Sequence, residues 1–211
     1  MQMAKRVLDI VFSIVGLLVV CPIMLIVAIA ILITDGMPVL FRQERIGRNG
    51  SPFTLLKFRS MRSTTSANAP KVTVTGDSRI TPIGRLLRKT KMDELPQLLN
   101  VLFGEMSFVG PRPEVQEYVA HYDEQQRRVL ELMPGITDPA SLKYFNEEEI
   151  LAESDDPMKM YLEQVMPDKI RLNLEYADRA SVFGDFGVVL KTIGRVLGRS
   201  QDTNCSSEPA Q

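Results

Sequence analysis

The chain has 211 residues, with 25 basic side chains against 26 acidic ones and a formal net charge of -1. A balance this close to neutral gives no electrostatic footprint for nucleic acid, so none is expected as a partner. The single histidine, His121, leaves no basis for a histidine metal site or a two-histidine mechanism. Two cysteines, Cys21 in an apolar run and Cys205 in a polar tail, make neither a disulfide framework nor a zinc spacing.

Ile10 to Ile33 carries no charge and has Pro22 near its midpoint. The run is too long for a signal-peptide core, and no small-residue cleavage site follows it. As a helix it would measure about 36 Å, enough to cross a bilayer core. Three features point instead to a re-entrant hairpin that leaves on the side it entered. Pro22 lacks an N–H and its ring clashes with the preceding turn, which kinks a helix. Basic residues flank the run on both sides, Lys5 and Arg6 before it, Arg42, Arg45 and Arg48 after it. Asp9 lies at helical spacing from Lys5 and Arg6, tying the start of the run to the interface. The residues alone leave the span and the hairpin open.

Thr34-Asp35-Gly36-Met37-Pro38 ends the helix in a turn. Val39 to Phe41 reads as a short strand, Gln43 to Gly50 as a loop or hairpin tip with Asn49-Gly50 as its turn, and Pro52 to Met61 as a second strand. Ser63 to Ala69 is polar and small, hence a loop. Leucines and isoleucines between Thr81 and Phe103 recur at helical spacing. Gly104 to Pro113 is expected as a loop, Glu114 to Leu132 as an amphipathic helix, Glu147 to Glu153 as an acidic helix, and Ile170 to Ala180 as a helix. Phe183 to Leu197 can be an amphipathic helix on a bilayer or a core helix. The tail from Ser200 is expected to be disordered.

Asp93-Glu94-Leu95-Pro96 is the most informative tetrapeptide. Aspartate caps helices and proline is tolerated in their first turn, which predicts that Asp93 and Glu94 stand at a helix start, among free N–H groups. That setting favours ionised carboxylates, suited to a nucleophile or a magnesium ligand rather than a general acid. Arg79, Arg85, Arg88, Lys89 and Lys91 come just before, with no acid between Ser78 and Met92. Two carboxylates, a helix start and a basic approach are the parts of a phosphoryl-transfer site. A plain helix cap with solvated cations is the alternative. Arg112, between Pro111 and Pro113, is a second candidate because the prolines fix the backbone that presents it. Adjacent helix residues cannot bracket a glycosidic bond at the required separation, and no phosphate-cradling glycine motif is present.

Seven ordered motifs now make a family visible. They are Lys5-Arg6-x-x-Asp9-x-x-x-Ser13, Phe41-Arg42-Gln43-x-Arg45-x-Gly47, Lys57-Phe58-Arg59-Ser60-Met61, Thr81-Pro82-x-Gly84-x-x-x-Arg88, Asp93-Glu94-Leu95-Pro96-Gln97, Gly110-Pro111-Arg112-Pro113 and Pro134-Gly135-Ile136-Thr137. Together they resemble the bacterial sugar transferases, the small monotopic phosphoglycosyl transferases. The chain departs from that pattern at Cys21-Pro22, where relatives often carry Ser-Pro at the membrane hinge. It departs again at Asp138-Pro139-Ala140-Ser141, where many continue with glycine and an apolar run.

The resemblance implies a mainly α fold with a few short β-strands. A re-entrant helix-break-helix over residues 1–36 would precede a compact catalytic domain over 37–199 with amphipathic interfacial helices, and a tail over 200–211. It implies Asp93 as nucleophile on a UDP-sugar, Glu94 with Asp93 as holder of Mg2+, and transfer of a phosphosugar to polyprenyl (undecaprenyl) phosphate with release of UMP. Arg88 and Arg112, with Lys57, Arg59 and Asp168 as further candidates, would bind phosphate or nucleotide. The implied location is the bacterial inner membrane, with the catalytic domain on its cytoplasmic face. Two other readings are an anchored anion-binding module without chemistry and a one-step transferase without a covalent intermediate.

Overall fold

The computed structural model describes residues 2–62 and 76–202. The expected loop at Ser63 to Ala69 lies outside them, as do residues 203–211, with Cys205, of the tail expected from Ser200; the tail's first residues instead continue the last helix to Asp202.

Helix α1 (Gln2–Thr34) has Pro22 inside it and is the one helix among the described residues long and apolar enough to cross a membrane. The sequence suggested a break at Pro22, but the helical pattern continues through it. Proline removes one backbone donor and its neighbours keep helical geometry, so any bend is taken up within one element. Most of α1 is exposed, yet both of its ends are held by the rest of the chain. Near the start, Arg6 donates to the carbonyls of Val101 (2.5 Å) and Leu102 (2.8 Å), Lys5 Nζ donates to Val109 O (2.8 Å), and Asp9 Oδ1 accepts from the Phe108 N–H (3.3 Å). Near the end, Val27 and Ile31 are buried with Phe58 and Leu87.

Strands β1 (Leu40–Ile46) and β2 (Pro52–Phe58) form an antiparallel hairpin, with Leu40 opposite Phe58 and Ile46 opposite Pro52. The strand pattern therefore runs through Gln43 to Ile46, which the sequence reading gave to the tip. The tip is confined to residues 47–51, where Asn49 and Gly50 take positive φ. Helix α2 (Pro82–Lys89) starts where the Thr81 side chain accepts from the Gly84 N–H (3.0 Å) and Pro82 occupies the first turn. Helix α3 (Gln97–Phe103) ends at Gly104.

Strands β3 (Ser107–Val109) and β4 (Gly135–Thr137) pair in parallel, and β3 lies inside the stretch from Gly104 to Pro113 that read as loop. Helix α4 covers only Gln116–Val119, where one long helix to Leu132 was expected. Asp123 and Gln126 bond each other's backbone N–H groups reciprocally, a capping box that starts a separate 3-10 turn (Gln126–Glu131) and interrupts the helix. Helices α5 (Pro139–Lys143), α6 (Glu147–Ala152), α7 (Pro157–Met160), α8 (Met166–Ala177) and α9 (Val182–Asp202) complete the described chain, with a π-helical turn at Tyr161–Val165. The largest core cluster joins Ile46 to Tyr118, Tyr122, Leu151, Tyr161, Val165 and Ile170. A smaller one around Leu55, Val101 and Met106 fixes α3 against the hairpin.

Candidate active site

The chain reaches Asp93 from α2 through Lys91, which adopts a left-handed conformation and turns the backbone into the 3-10 turn Met92–Glu94. Neither carboxylate caps a helix, contrary to the expectation from the sequence. The Glu94 N–H bonds Lys91 O (3.2 Å), the Leu95 N–H bonds Met92 O (3.3 Å), and α3 begins only after Pro96. The backbone donors foreseen for the dyad are thus consumed by the turn, and side-chain cations take their place.

Glu94 is ringed by them. Arg112 Nη2 lies 2.5 Å from Oε1 and Nη1 3.3 Å from Oε2, and Lys57 Nζ lies 3.2 Å from Oε1. Burial alone would push the Glu94 carboxyl up, but Arg112 and then Lys57 outweigh it and hold it well below the usual range. Asp93 is the opposite case. It is 5% exposed, and burial together with the neighbouring Glu94 charge pushes it up. Its Oδ1 has no hydrogen-bond partner among the described residues. A buried oxygen without a partner is costly, so an atom in this position is the natural contact for something that binds.

Lys57 reaches the dyad from β2, flanked by Leu55 and Phe58, whose burial fixes the strand. Burial lowers its pKa to about 8 against the raising effect of Glu94. Arg112 is placed by its loop. The Gly110 N–H bonds Thr137 O (3.0 Å), the Gly135 N–H bonds Pro111 O (3.0 Å), and the Arg112 N–H bonds Asp138 Oδ2 (3.1 Å). A Cβ on Gly110 would stand 2.1 Å from Met133 O, and one on Gly135 2.2 Å from Gly110 N, so only glycine permits this approach. Arg45 clamps the far side, donating to Pro113 O (3.0 Å) and pairing with Glu114 (3.5 Å).

Arg88 comes from α2 and pairs with Glu148 of α6, while its buried Nε has no partner among the described residues. Arg59 turns elsewhere, donating to the carbonyls of Asp35, Gly36 and Met37 in the turn after α1. Asp168 accepts from Lys143 (2.6 Å), Tyr144 (2.8 Å) and Arg171 (2.6 Å), which pull its pKa down. It makes no contact with the dyad. The structure thus brings Asp93, Glu94, Lys57, Arg88 and Arg112 together and leaves Arg59 and Asp168 outside. Cys21, where the sequence led to the expectation of a hinge, is exposed on the continuous helix α1.

Asp138, Glu147, Glu148 and Lys169 were not foreseen. Asp138 is fully buried and caps α5 through Ser141 N (2.6 Å), a role its Asp-Pro dipeptide signals. Lys169 pairs with Glu147 at 2.8 Å. The acidic helix from Glu147 and the basic run from Arg79 to Lys91 were each visible in the sequence, but not that the two meet. They do so across an open cleft of about 960 Å³ that Arg88, Glu94, Arg112, Glu147 and Lys169 all line.

Asp93 Oδ1 is open to Mg2+, whereas both Glu94 oxygens accept from Arg112 or Lys57 and would have to share them with the ion. The ion is commonly held by one or two carboxylates and completes its shell with water and substrate phosphate. Asp93 offers a free buried oxygen next to Glu94. No cluster of three or more acidic, histidine or cysteine side chains exists among the described residues, so a cage made wholly of protein is not available there.

The family model described as bacterial sugar transferase matches residues 1–199. The chain belongs to the bacterial sugar transferase family. It is 36% identical over 199 residues to the UDP-glucose:undecaprenyl-phosphate glucose-1-phosphate transferase of Escherichia coli (strain K12), covering 91% of this chain and 40% of that protein. It is 37% identical over 205 residues to the galactosyl transferase CpsE of Streptococcus agalactiae serotype III (strain NEM316), covering 92% and 42%. A protein of Caulobacter vibrioides with the same name as the Escherichia coli one is 35% identical over 202 residues, covering 93% and 70%. The chain therefore spans about two fifths of the length of several curated relatives it matches. As a bacterial sugar transferase it has relatives named for different sugars, so membership does not select one.

Proposed function

We propose that this bacterial sugar transferase moves a phosphosugar from a UDP-sugar to a polyprenyl phosphate, undecaprenyl phosphate by analogy with its relatives, in two steps. The observation that carries the proposal is Asp93, buried, with an unpartnered oxygen, beside a Glu94 whose charge is neutralised by Arg112 and Lys57.

In the first step an Asp93 carboxylate oxygen attacks the β-phosphorus of the UDP-sugar. The bond between that phosphorus and the bridging oxygen breaks, and UMP leaves with the electron pair. In the second step a phosphate oxygen of the polyprenyl phosphate attacks the same phosphorus, the aspartyl–phosphorus bond breaks, and polyprenyl-diphosphate-sugar forms. A carboxylate whose basicity is raised by burial is a better nucleophile once deprotonated. Arg112 and Lys57 keep Glu94 from presenting a free second charge to the incoming diphosphate, and the unused Arg88 Nε can donate to a phosphate oxygen. Asp93 and Glu94 would hold Mg2+, which would supply neutralisation of phosphate charge.

Membrane attachment through α1, with the catalytic part on the cytoplasmic face of the inner membrane, belongs to the same proposal. A helix crossing a bilayer core of about 30 Å carries its ends to opposite faces. Here Arg6 near one end and Ile31 near the other both contact the same folded unit, which favours a re-entrant arrangement. On α9, Phe183, Phe186, Leu190 and Leu197 are exposed at helical spacing, as an interfacial helix requires.

The experiment is UMP release across a panel of UDP-sugars with undecaprenyl phosphate and Mg2+, for the wild type and Asp93→Asn. Release with at least one sugar, lost in the variant, is expected. Magnesium-independent UDP-sugar binding without UMP release would favour the anchored binding module instead.

A further inference from the structure

The cleft has a second half that phosphate chemistry does not use. Val20 of α1, Leu98 of α3, Phe108 of β3, Ile136 of β4, and Val189 and Ile193 of α9 line it. These elements are packed on one another. A Cβ on Gly16 of α1 would lie 3.5 Å from Leu98, the rings of Phe12 and Phe108 meet edge to face at 6.5 Å, and Thr137 of β4 bonds Thr192 of α9 at 2.7 Å. The start of α1 is tied to α9 by the Lys5–Asp185 pair at 2.7 Å.

We infer that this apolar half holds the first isoprene units of the acceptor, which enters sideways from the bilayer between α1 and α9. The inference rests on the function proposed above and adds a place for the hydrocarbon chain. Two observations select that occupant over a sugar or a nucleotide base. These six side chains are aliphatic or aromatic, and the adjoining Thr137 and Thr192 hydroxyls are already bonded to each other and to Val188 O, so a sugar's hydroxyls would give up water hydrogen bonds there with little replacement. The cleft also carries what a polyprenyl phosphate needs on either side of its hydrocarbon. Arg88 and Arg112 line the same cleft as the apolar residues. The two helices that contribute Val20, Val189 and Ile193 to it also carry exposed large apolar side chains, Leu18, Val19 and Ile23 on α1 and Phe186, Leu190 and Leu197 on α9. A single lipid phosphate matches these surfaces: tail in the bilayer, first units against the apolar lining, charged head at Arg88 and Arg112.

The test separates the two half-reactions. Exchange of labelled UMP into UDP-sugar without acceptor reports the first, and the KM for undecaprenyl phosphate reports the second. Val189→Trp and Ile193→Trp, on α9 and away from the arginine loop, are expected to raise that KM at least tenfold and to leave UMP exchange within twofold. Unchanged acceptor KM would overturn the inference, as would loss of UMP exchange, which would put the sugar or the base in this half. Absence of exchange in the wild type would instead overturn the function on which the inference rests. Because tryptophan variants can fail to fold, the wild type in bilayer nanodiscs is also irradiated with a polyprenyl phosphate carrying a diazirine in its second isoprene unit. Label on residues 189–193 or on Ile136 is expected; label confined to the outward side chains of α1 contradicts the inference.

Discussion

Arg112 grips the Glu94 carboxylate through both terminal nitrogens, at 2.5 and 3.3 Å, while its own backbone N–H is held by Asp138. This is a fork on a fork, and a lysine cannot reproduce it. Arg112→Ala leaves Glu94 with Lys57 as its remaining partner. Removing one member of a buried pair costs about 3–5 kcal/mol. Arg112 is 31% exposed, so about 2–3 kcal/mol is expected here. Thermal or urea unfolding checks this. Arg112→Lys is expected to recover much of the stability but to raise the KM for UDP-sugar at least tenfold.

Lys57 gives a pH signature. Burial lowers its pKa to about 8, so the free enzyme loses this cation as pH rises through that value. The alkaline limb of kcat/KM for UDP-sugar is expected near pH 8, and Lys57→Arg is expected to remove it. The stability effect has the opposite sense. The unfolded chain keeps the proton up to its ordinary lysine pKa, so between pH about 8 and 10.5 the unfolded state binds more protons and this residue's contribution to stability rises with pH.

The contact between Gly110 and Gly135 sets the position of the arginine loop. Gly110→Ala and Gly135→Ala each place a Cβ within 2.2 Å of backbone atoms and are expected to destabilise by more than about 3 kcal/mol through overpacking. Gly187→Ala on α9 meets nothing within 4 Å and is expected to be neutral or slightly stabilising. Unfolding midpoints for the three variants check both halves of this prediction.

Arg6 closes the end of α3 opposite the dyad by donating to its last carbonyls. Cations there complement the helix dipole. Arg6→Ala is expected to cost about 1–2 kcal/mol and to expose the first residues of α1 to protease, by loss of two charge-assisted hydrogen bonds. Limited proteolysis in nanodiscs reads this directly; unchanged cleavage would mean that the membrane alone holds α1.

The motifs made the site legible in outline because each answers a local demand. Thr81-Pro82 starts a helix, Gly110 and Gly135 admit a backbone approach, and Arg112 sits between prolines in a clamped loop. Long helices such as α1 and α9 were legible from apolar runs and helical spacing. The short parallel pair β3 and β4 was not, because three-residue strands carry no readable period. The dyad's surroundings were misjudged for a related reason. Whether Asp93 caps a helix depends on which backbone bonds close first, and Lys91 in a left-handed conformation closes a 3-10 turn instead. Arg59 shares its motif with Lys57, but its guanidinium serves the turn after α1, a tertiary choice that spacing does not encode. Asp168 was singled out beside Pro167, yet its neighbours Lys143, Tyr144 and Arg171 absorb its charge.

The central claim is that Asp93 becomes covalently linked to a phosphosugar. The most direct measurement is the intact mass of the purified chain after incubation with its UDP-sugar and Mg2+, without acceptor, followed by peptide mapping. The account predicts a mass increase of one phosphosugar, located on the peptide containing Asp93, absent in Asp93→Asn, and discharged by adding undecaprenyl phosphate. Full product formation from UDP-sugar and undecaprenyl phosphate with no adduct at any time, or with an adduct elsewhere, would contradict it.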